Sequence, residues 1–290
     1  MPAPFNAVIV SVVSLVGALA IAVYSAAEIN IPVQRFLPNG VGIALGLLCL
    51  ALILRFRDGF RRGLPVLLLI ALLLLALPLF LESFNGVNRW VYLGPVSLQI
   101  SAVVLPLLLY HSHRVGAEFP LLAVLPLIVA SWLLFLQPDA GQSLALVLAS
   151  LPVLSRFKSQ RTLMALGLLL AVPSVWVWRQ EDPLFPVPEV EGVLYLILEI
   201  PRLGWPLCAL AVTALLWPLV RTGLQRPLVQ SFVLLIFGGI ISATAGPLVN
   251  KVFPVPVLGA GISYVLGYFL MLALALLDEE QEQKIEASRA

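Results

Sequence analysis

An all-α bundle of about ten membrane-spanning helices is the fold this sequence predicts, and three observations carry that reading. Hydrophobic residues make up 61% of the 290 and charged residues only 11%, whereas a soluble domain carries about 25% charged residues. Apolar stretches approaching the ~20 residues of a membrane helix recur to the C-terminus. The few basic residues also alternate between loops instead of scattering.

The runs, in order, are Ala7–Ala27, Gly40–Leu54, Leu64–Leu81, Leu98–Tyr110, Leu121–Leu136, Ser143–Leu154, Leu163–Trp178, Leu194–Val220, Leu228–Val249 and Val257–Leu277. Several fall short of ~17 residues, so they must borrow flanking residues or lie between neighbours. The first run is too long for a signal-peptide core and reads as a retained span. Pro106, Pro126, Pro173 and Pro206 fall inside runs, where neighbouring helices can satisfy the freed carbonyls. The whole chain, residues 1–290, reads as one integral membrane domain ending in a short charged tail, 278–290.

Alternate loops hold Arg55, Arg57, Arg61 and Arg62; then Arg114; then Arg156, Lys158 and Arg161; then Arg221 and Arg226. The opposite loops hold only Arg35, Arg89, Arg179 and Lys251. Positive-inside bias puts the first set and both termini in the cytoplasm. That makes this a multi-pass membrane protein. The net charge of +2 gives nucleic-acid binding no support. Cys49 and Cys208 sit in apolar runs without a CxxC or Cys/His spacing, so no metal or cofactor is expected. His111 and His113 read as an interfacial pair.

Three polar motifs interrupt the oil, all on the outer side. In the first, Asn85-Gly86 is a turn dipeptide, followed by Arg89 and Trp90 at headgroup level. In the second, Gln137-Pro138-Asp139-Ala140-Gly141, Asp139 stands in a tight reversal. It can cap the next helix or hold Arg89, Arg202 or Lys251 in an outer cavity. In the third, Glu189 and Glu191 precede a span in which Glu199 and Arg202 are embedded. Intramembrane charges cost about 2.5–3.5 kcal/mol each on insertion scales. The three-residue spacing of Glu199 and Arg202 favours an ion pair on one helical face.

Together these motifs resemble the SEDS family of bacterial membrane proteins, the RodA/FtsW group. The matching segments are Asn85–Ser101 (NGVNRWVYLGPVSLQIS), Gln137–Gly141 (QPDAG), Val187–Leu194 (VPEVEGVL) and Val255–Ser263 (VPVLGAGIS). The resemblance implies ten helices with both ends cytoplasmic and a role in peptidoglycan synthesis. It implies polymerisation of lipid II, an undecaprenyl-diphosphate glycan, beside a class B penicillin-binding protein. Such glycosyl transfer wants a carboxylate base and cations to offset the diphosphate.

The base that the family supplies falls here on Val193, which cannot take a proton. The family's Glu and Lys of a PSELAK stretch correspond to Ala102 and Leu105, and its Glu-Glu pair to Pro201-Arg202. Gln99, Arg89, Asp139, Gly141, Pro188, Glu189 and Gly204 are kept. The substrate-binding set implied is Asn85, Arg89, Trp90, Gln137, Asp139, Gly141 and Lys251, with Arg89, Asp139, Glu189 and Lys251 lining one outer cavity. Three readings follow. The chain binds lipid II or a partner with a degenerate polymerase site, or it polymerises with Glu191 (or Glu189) as a shifted base, or it is a small-molecule transporter.

Overall fold

The computed structural model describes residues 3–94, 96–116 and 119–289; Pro95, within the first motif, and the last tail residue, Ala290, lie outside them. Helices α1 (Ala3–Glu28), α2 (Leu37–Arg55) and α3 (Arg57–Ala76) lead to a β-hairpin, β1 (Trp90–Leu93) with β2 (Val96–Gln99). Then come α4 (Ile100–Val115), α5 (Pro120–Leu136), α6 (Ala140–Leu154), α7 (Gln160–Val177), α8 (Val193–Leu198), α9 (Gly204–Arg221), α10 (Pro227–Ala245) and α11 (Ser263–Arg289). Six helices are long and apolar enough to cross a membrane, and α5 and α6 are shorter apolar helices.

Their surfaces are inverted relative to a soluble protein. Val13, Leu48, Leu69, Leu73, Leu168 and Val175 all face outward, as expected where lipid is the solvent. The span around α10 is the exception. Half of its most apolar window is buried, against 22% to 28% in the other five, which makes α10 a central helix. It lies against α6, where a Cβ on Gly238 would come within 2.7 Å of the Ala145 Cα. Small residues permit that closeness.

Five sequence expectations are corrected. The run Leu194–Val220 is not one helix: α8 stops at Leu198 and α9 begins at Gly204. Pro201 cannot donate to a continuing helix, and Arg202 takes a left-handed φ of 64°. Glu199 and Arg202 therefore do not share a helical face; both are exposed, and no ion pair joins them among the described residues. Pro206 sits in the first turn of α9, where its missing N–H has no partner to lose. The stretch before α4 is a hairpin. Finally, the run from Val257 is not helical until Ser263; residues 251–262 form a buried, irregular re-entrant loop.

That loop survives at depth because its backbone is satisfied by protein. Asn39, buried on α2, donates through Nδ2 to the carbonyls of Val257 (3.1 Å) and Gly259 (3.0 Å), and its Oδ1 accepts from the Gly261 N–H (2.9 Å). These contacts hold Val257 at a φ of 67°, which costs a β-branched residue about 1–3 kcal/mol.

At the opposite end the four basic loops converge on α11. Arg57 pairs with Glu280 (2.5 Å), Arg61 donates to the Leu277 carbonyl (3.0 Å) and Arg114 bonds Gln281. Arg156 donates to the His113 carbonyl (2.8 Å), His113 faces Asp278 (3.4 Å), and Arg226 meets Asp278 (3.6 Å) and Glu279 (3.7 Å). The charged tail is thus a helix clasped by basic groups, not a frayed end.

Candidate functional site at the motif-bearing end

All three motifs meet at the end opposite the basic clasp, around a cavity of about 230 Å³. Each motif is placed by local chemistry. Asn85 and Gly86 both have positive φ, 51° and 81°, between the bridged Phe84 and Val87. This is the primed two-residue turn that Asn-Gly favours. Asn85 itself is exposed and does not line the cavity.

Arg89 points inward and is 2% exposed. Its Nη2 contacts the Asp182 Oδ2 (2.8 Å), Nε and Nη2 donate to the Pro138 carbonyl (3.1 and 2.5 Å), and Nη1 donates to the Val252 carbonyl (3.3 Å). The guanidinium also lies 5.4 Å from the Phe253 ring centroid, within cation–π reach. One residue therefore ties together the first motif, the second motif, the loop before α8 and the re-entrant loop. The partner of Arg89 is Asp182, not Asp139.

Asp139 serves as the N-cap of α6, with Oδ1 accepting from the Gln142 N–H (3.2 Å) and Oδ2 from Gln99 Nε2 (2.8 Å). Burial pushes its carboxyl above the usual range, while Arg89 and these donors pull it back. Gln142 in turn donates to the Tyr264 hydroxyl (2.6 Å). Gln137 is buried and donates to the Leu75 carbonyl. Gly141 lies under the Phe253 ring. Lys251 is buried against the Gln180 carbonyl, and burial pushes its ammonium below the usual range against the pull of Asp182.

The expectation that Arg89, Asp139, Glu189 and Lys251 line one cavity is corrected: they form or flank its buried underpinning. The walls carry Trp90, Tyr92, Gln99, Glu191, Ser263 and Tyr264. Glu189 turns instead toward Arg35 (3.7 Å). Among the described residues no Lys or Arg lines the cavity, and no three His, Cys, Asp or Glu gather in metal-binding fashion. Val193 is fully buried at the start of α8.

Glu191 is the carboxylate on the cavity wall. Its Oε2 accepts from the Val187 N–H (2.7 Å), and burial pushes it up to about 7. Its value in the folded state lies above the ordinary 4.5, so stability is fully present below about 4.5 and is lost as pH rises through about 7. Glu191→Gln, which keeps the acceptor, is expected to stabilise the protein by about 1–2 kcal/mol at pH 8 after allowance for solvent contact. At pH 4 the variant should match the parent. Thermal melts in detergent at the two pH values check this, and equal gains at both would contradict it.

Sequence reasoning missed Asp182, Asn39 and Tyr264. The signal available for Asp182 was its place in a short acidic loop that could face an otherwise unpaired Arg89.

No family model matches the chain. It is 29% identical over 145 residues to a probable peptidoglycan glycosyltransferase FtsW of Nitrosomonas europaea, covering 46% of this chain and 36% of the relative. It is 33% identical over 152 residues to the same-named protein of Alkalilimnicola ehrlichii, covering 47% and 37%. The matches thus span little more than a third of those relatives' length. Among solved structures, a mutant of the Thermus thermophilus rod shape determining protein RodA superposes with a TM-score of 0.68 at 22% identity, covering 93% of this chain and 96% of that one. This chain is similar to FtsW and RodA proteins, and its fold is RodA-like.

A chain from a structure of a peptidoglycan synthase complex that coordinates polymerization and crosslinking superposes on this protein with a TM-score of 0.63 at 22% identity. That match covers 96% and 97% of the two chains. At such identities the structural likeness concerns the fold: a RodA-like, all-α, multi-pass membrane protein.

Proposed function

We propose that this protein is a SEDS-family member that works in peptidoglycan synthesis at the bacterial cytoplasmic membrane, binding a polyprenyl-linked glycan such as lipid II in the outer cavity without polymerising it. The basic clasp faces the cytoplasm in this reading, which places ten spans and both termini as the charge bias expects. The observation that carries it is the composition of the cavity wall. Trp90 and Tyr92 offer faces for a sugar ring, and Gln99, Glu191 and Ser263 offer polar groups, while among the described residues no cation lines the cavity. A diphosphate leaving group needs compensating charge. Arg89 and Lys251 are committed to Asp182 and to backbone carbonyls. The position that carries the base in the family is the buried Val193. A class B penicillin-binding protein is the partner this reading implies.

One observation favours a second reading, that of an active polymerase. Glu191 lines the cavity with a value near 7, which suits a general base at neutral pH. Purified protein, alone and with a candidate penicillin-binding partner, is assayed for lipid II binding and for glycan product, beside Glu191→Ala. Binding without product supports the first reading. Product that rises with pH through about 7 and vanishes in the variant supports the second. Loss of both would leave the cavity without a glycan and favour a transporter.

A further inference from the structure

A second cavity, of about 520 Å³, lies at the clasp end among the inner ends of α1, α2, α9 and α11. Its apolar walls come from Ala7, Val10, Leu54 and Leu276, and its polar lining holds Arg57, Arg221, Glu279 and Glu280. The charged groups are not equivalent. Arg57 is held by Glu280 (2.5 Å), which also takes Lys284 (2.6 Å). Glu279 accepts from Gln283 Nε2 through Oε1 at 3.5 Å and faces Arg226 through Oε2 at 3.7 Å, long contacts that leave acceptor capacity on both oxygens. Arg221, the last residue of α9, is exposed and has no ion pair or hydrogen bond among the described residues. It sits at a helix C-terminus, where a cation is favoured.

An unclaimed guanidinium, a carboxylate with spare acceptors and apolar walls share one cavity at the level of the basic loops. Two arginines and two glutamates sum to no net charge, so a purely anionic headgroup meets repulsion and a purely cationic one likewise. We propose that this cavity binds a zwitterionic phospholipid, its phosphate on Arg221 and its primary ammonium against Glu279, with an acyl chain along Val10 and Leu54. Guanidinium–phosphate contacts are strong and geometrically specific. A primary ammonium brings N–H donors for the carboxylate; a quaternary one brings none.

The test is native mass spectrometry of the delipidated full chain after exchange into detergent micelles. The micelles are doped in turn with phosphatidylethanolamine, phosphatidylcholine and phosphatidylglycerol. The expected result is retention of phosphatidylethanolamine over the other two, with affinity about tenfold lower in Arg221→Gln. Because Arg221 is exposed and unpaired, that variant should melt with the parent in lipid-free detergent. Val10→Trp, which fills the cavity, should abolish the preference. Equal retention of all three lipids, stronger retention of phosphatidylglycerol, no retained lipid, or an unchanged preference in both variants would overturn the proposal.

Discussion

Arg89→Met is expected to destabilise the protein by about 3–5 kcal/mol, the usual consequence of removing one partner from a buried ion pair. The guanidinium is 2% exposed and its partner carboxylate 1%, so water cannot replace the lost contact. The Asp182 charge and the carbonyls of Pro138 and Val252 would each lose a donor. The double variant Arg89→Met with Asp182→Leu removes the stranded charge and should recover much of the loss, since well-packed apolar replacements of buried pairs are often neutral. Thermal or denaturant unfolding of the two single variants and the double variant closes the cycle. A near-neutral Arg89→Met, or a double variant no better than the single, would show that the pair does not hold the outer end together. If Arg89 acts only beneath the cavity, the double variant should also keep glycan-lipid binding within a few-fold of the parent, whereas a direct contact would be lost with the side chain.

Gly259→Val should be the most damaging change in the re-entrant loop. A Cβ there would fall 2.4 Å from the Val190 carbonyl oxygen and 3.1 Å from that of Val255, both backbone atoms that cannot rotate away. The two loops would have to separate, straining the bonds from the Ala260 N–H to the Glu189 carbonyl (2.7 Å) and from the Val255 N–H to the Val190 carbonyl (3.1 Å). Overpacking costs about 1–3 kcal/mol where side chains can adjust, and a backbone clash belongs at or above the top of that range. Val190 and Glu191 form one cavity wall and Ala260 another. Under the proposed function, binding of a lipid-linked glycan should therefore weaken at least tenfold, about 1.4 kcal/mol. Gly261→Ala is the control. A Cβ there meets nothing within 4 Å, so its stability should stay within about 0.5 kcal/mol of the parent. Similar melting of the two variants would refute the close approach of the loops.

The membrane-bundle class, most helix positions and the three motifs were legible from residues alone. Lipid-facing helices need no partner to be recognised, because their hydrophobicity is written in consecutive residues. The helical cap at Asp139 was legible for the same reason, a carboxylate followed directly by an apolar run. The grouping of the basic loops was also legible in part. Arg57, Arg61, Arg114, Arg156 and Arg226 share one end as the alternation requires, yet nothing local said that the tail helix would be what they grip.

What the sequence by itself determined is which segments are oily enough to leave water and where polar motifs interrupt them; both depend on neighbours in the chain. Only the tertiary structure decided which buried charges meet. Arg89 finds Asp182, 93 residues away, and Asn39 holds a loop more than 200 residues distant. Only tertiary packing revealed that the eighth span breaks after Leu198 and that residues 251–262 run irregularly. Hydropathy is indifferent to backbone conformation, and irregular backbone is tolerated at depth only where distant groups satisfy it. It was the fold, too, that set Glu191 rather than Val193 on the cavity wall, because the side a residue faces near a helix start depends on how that helix docks.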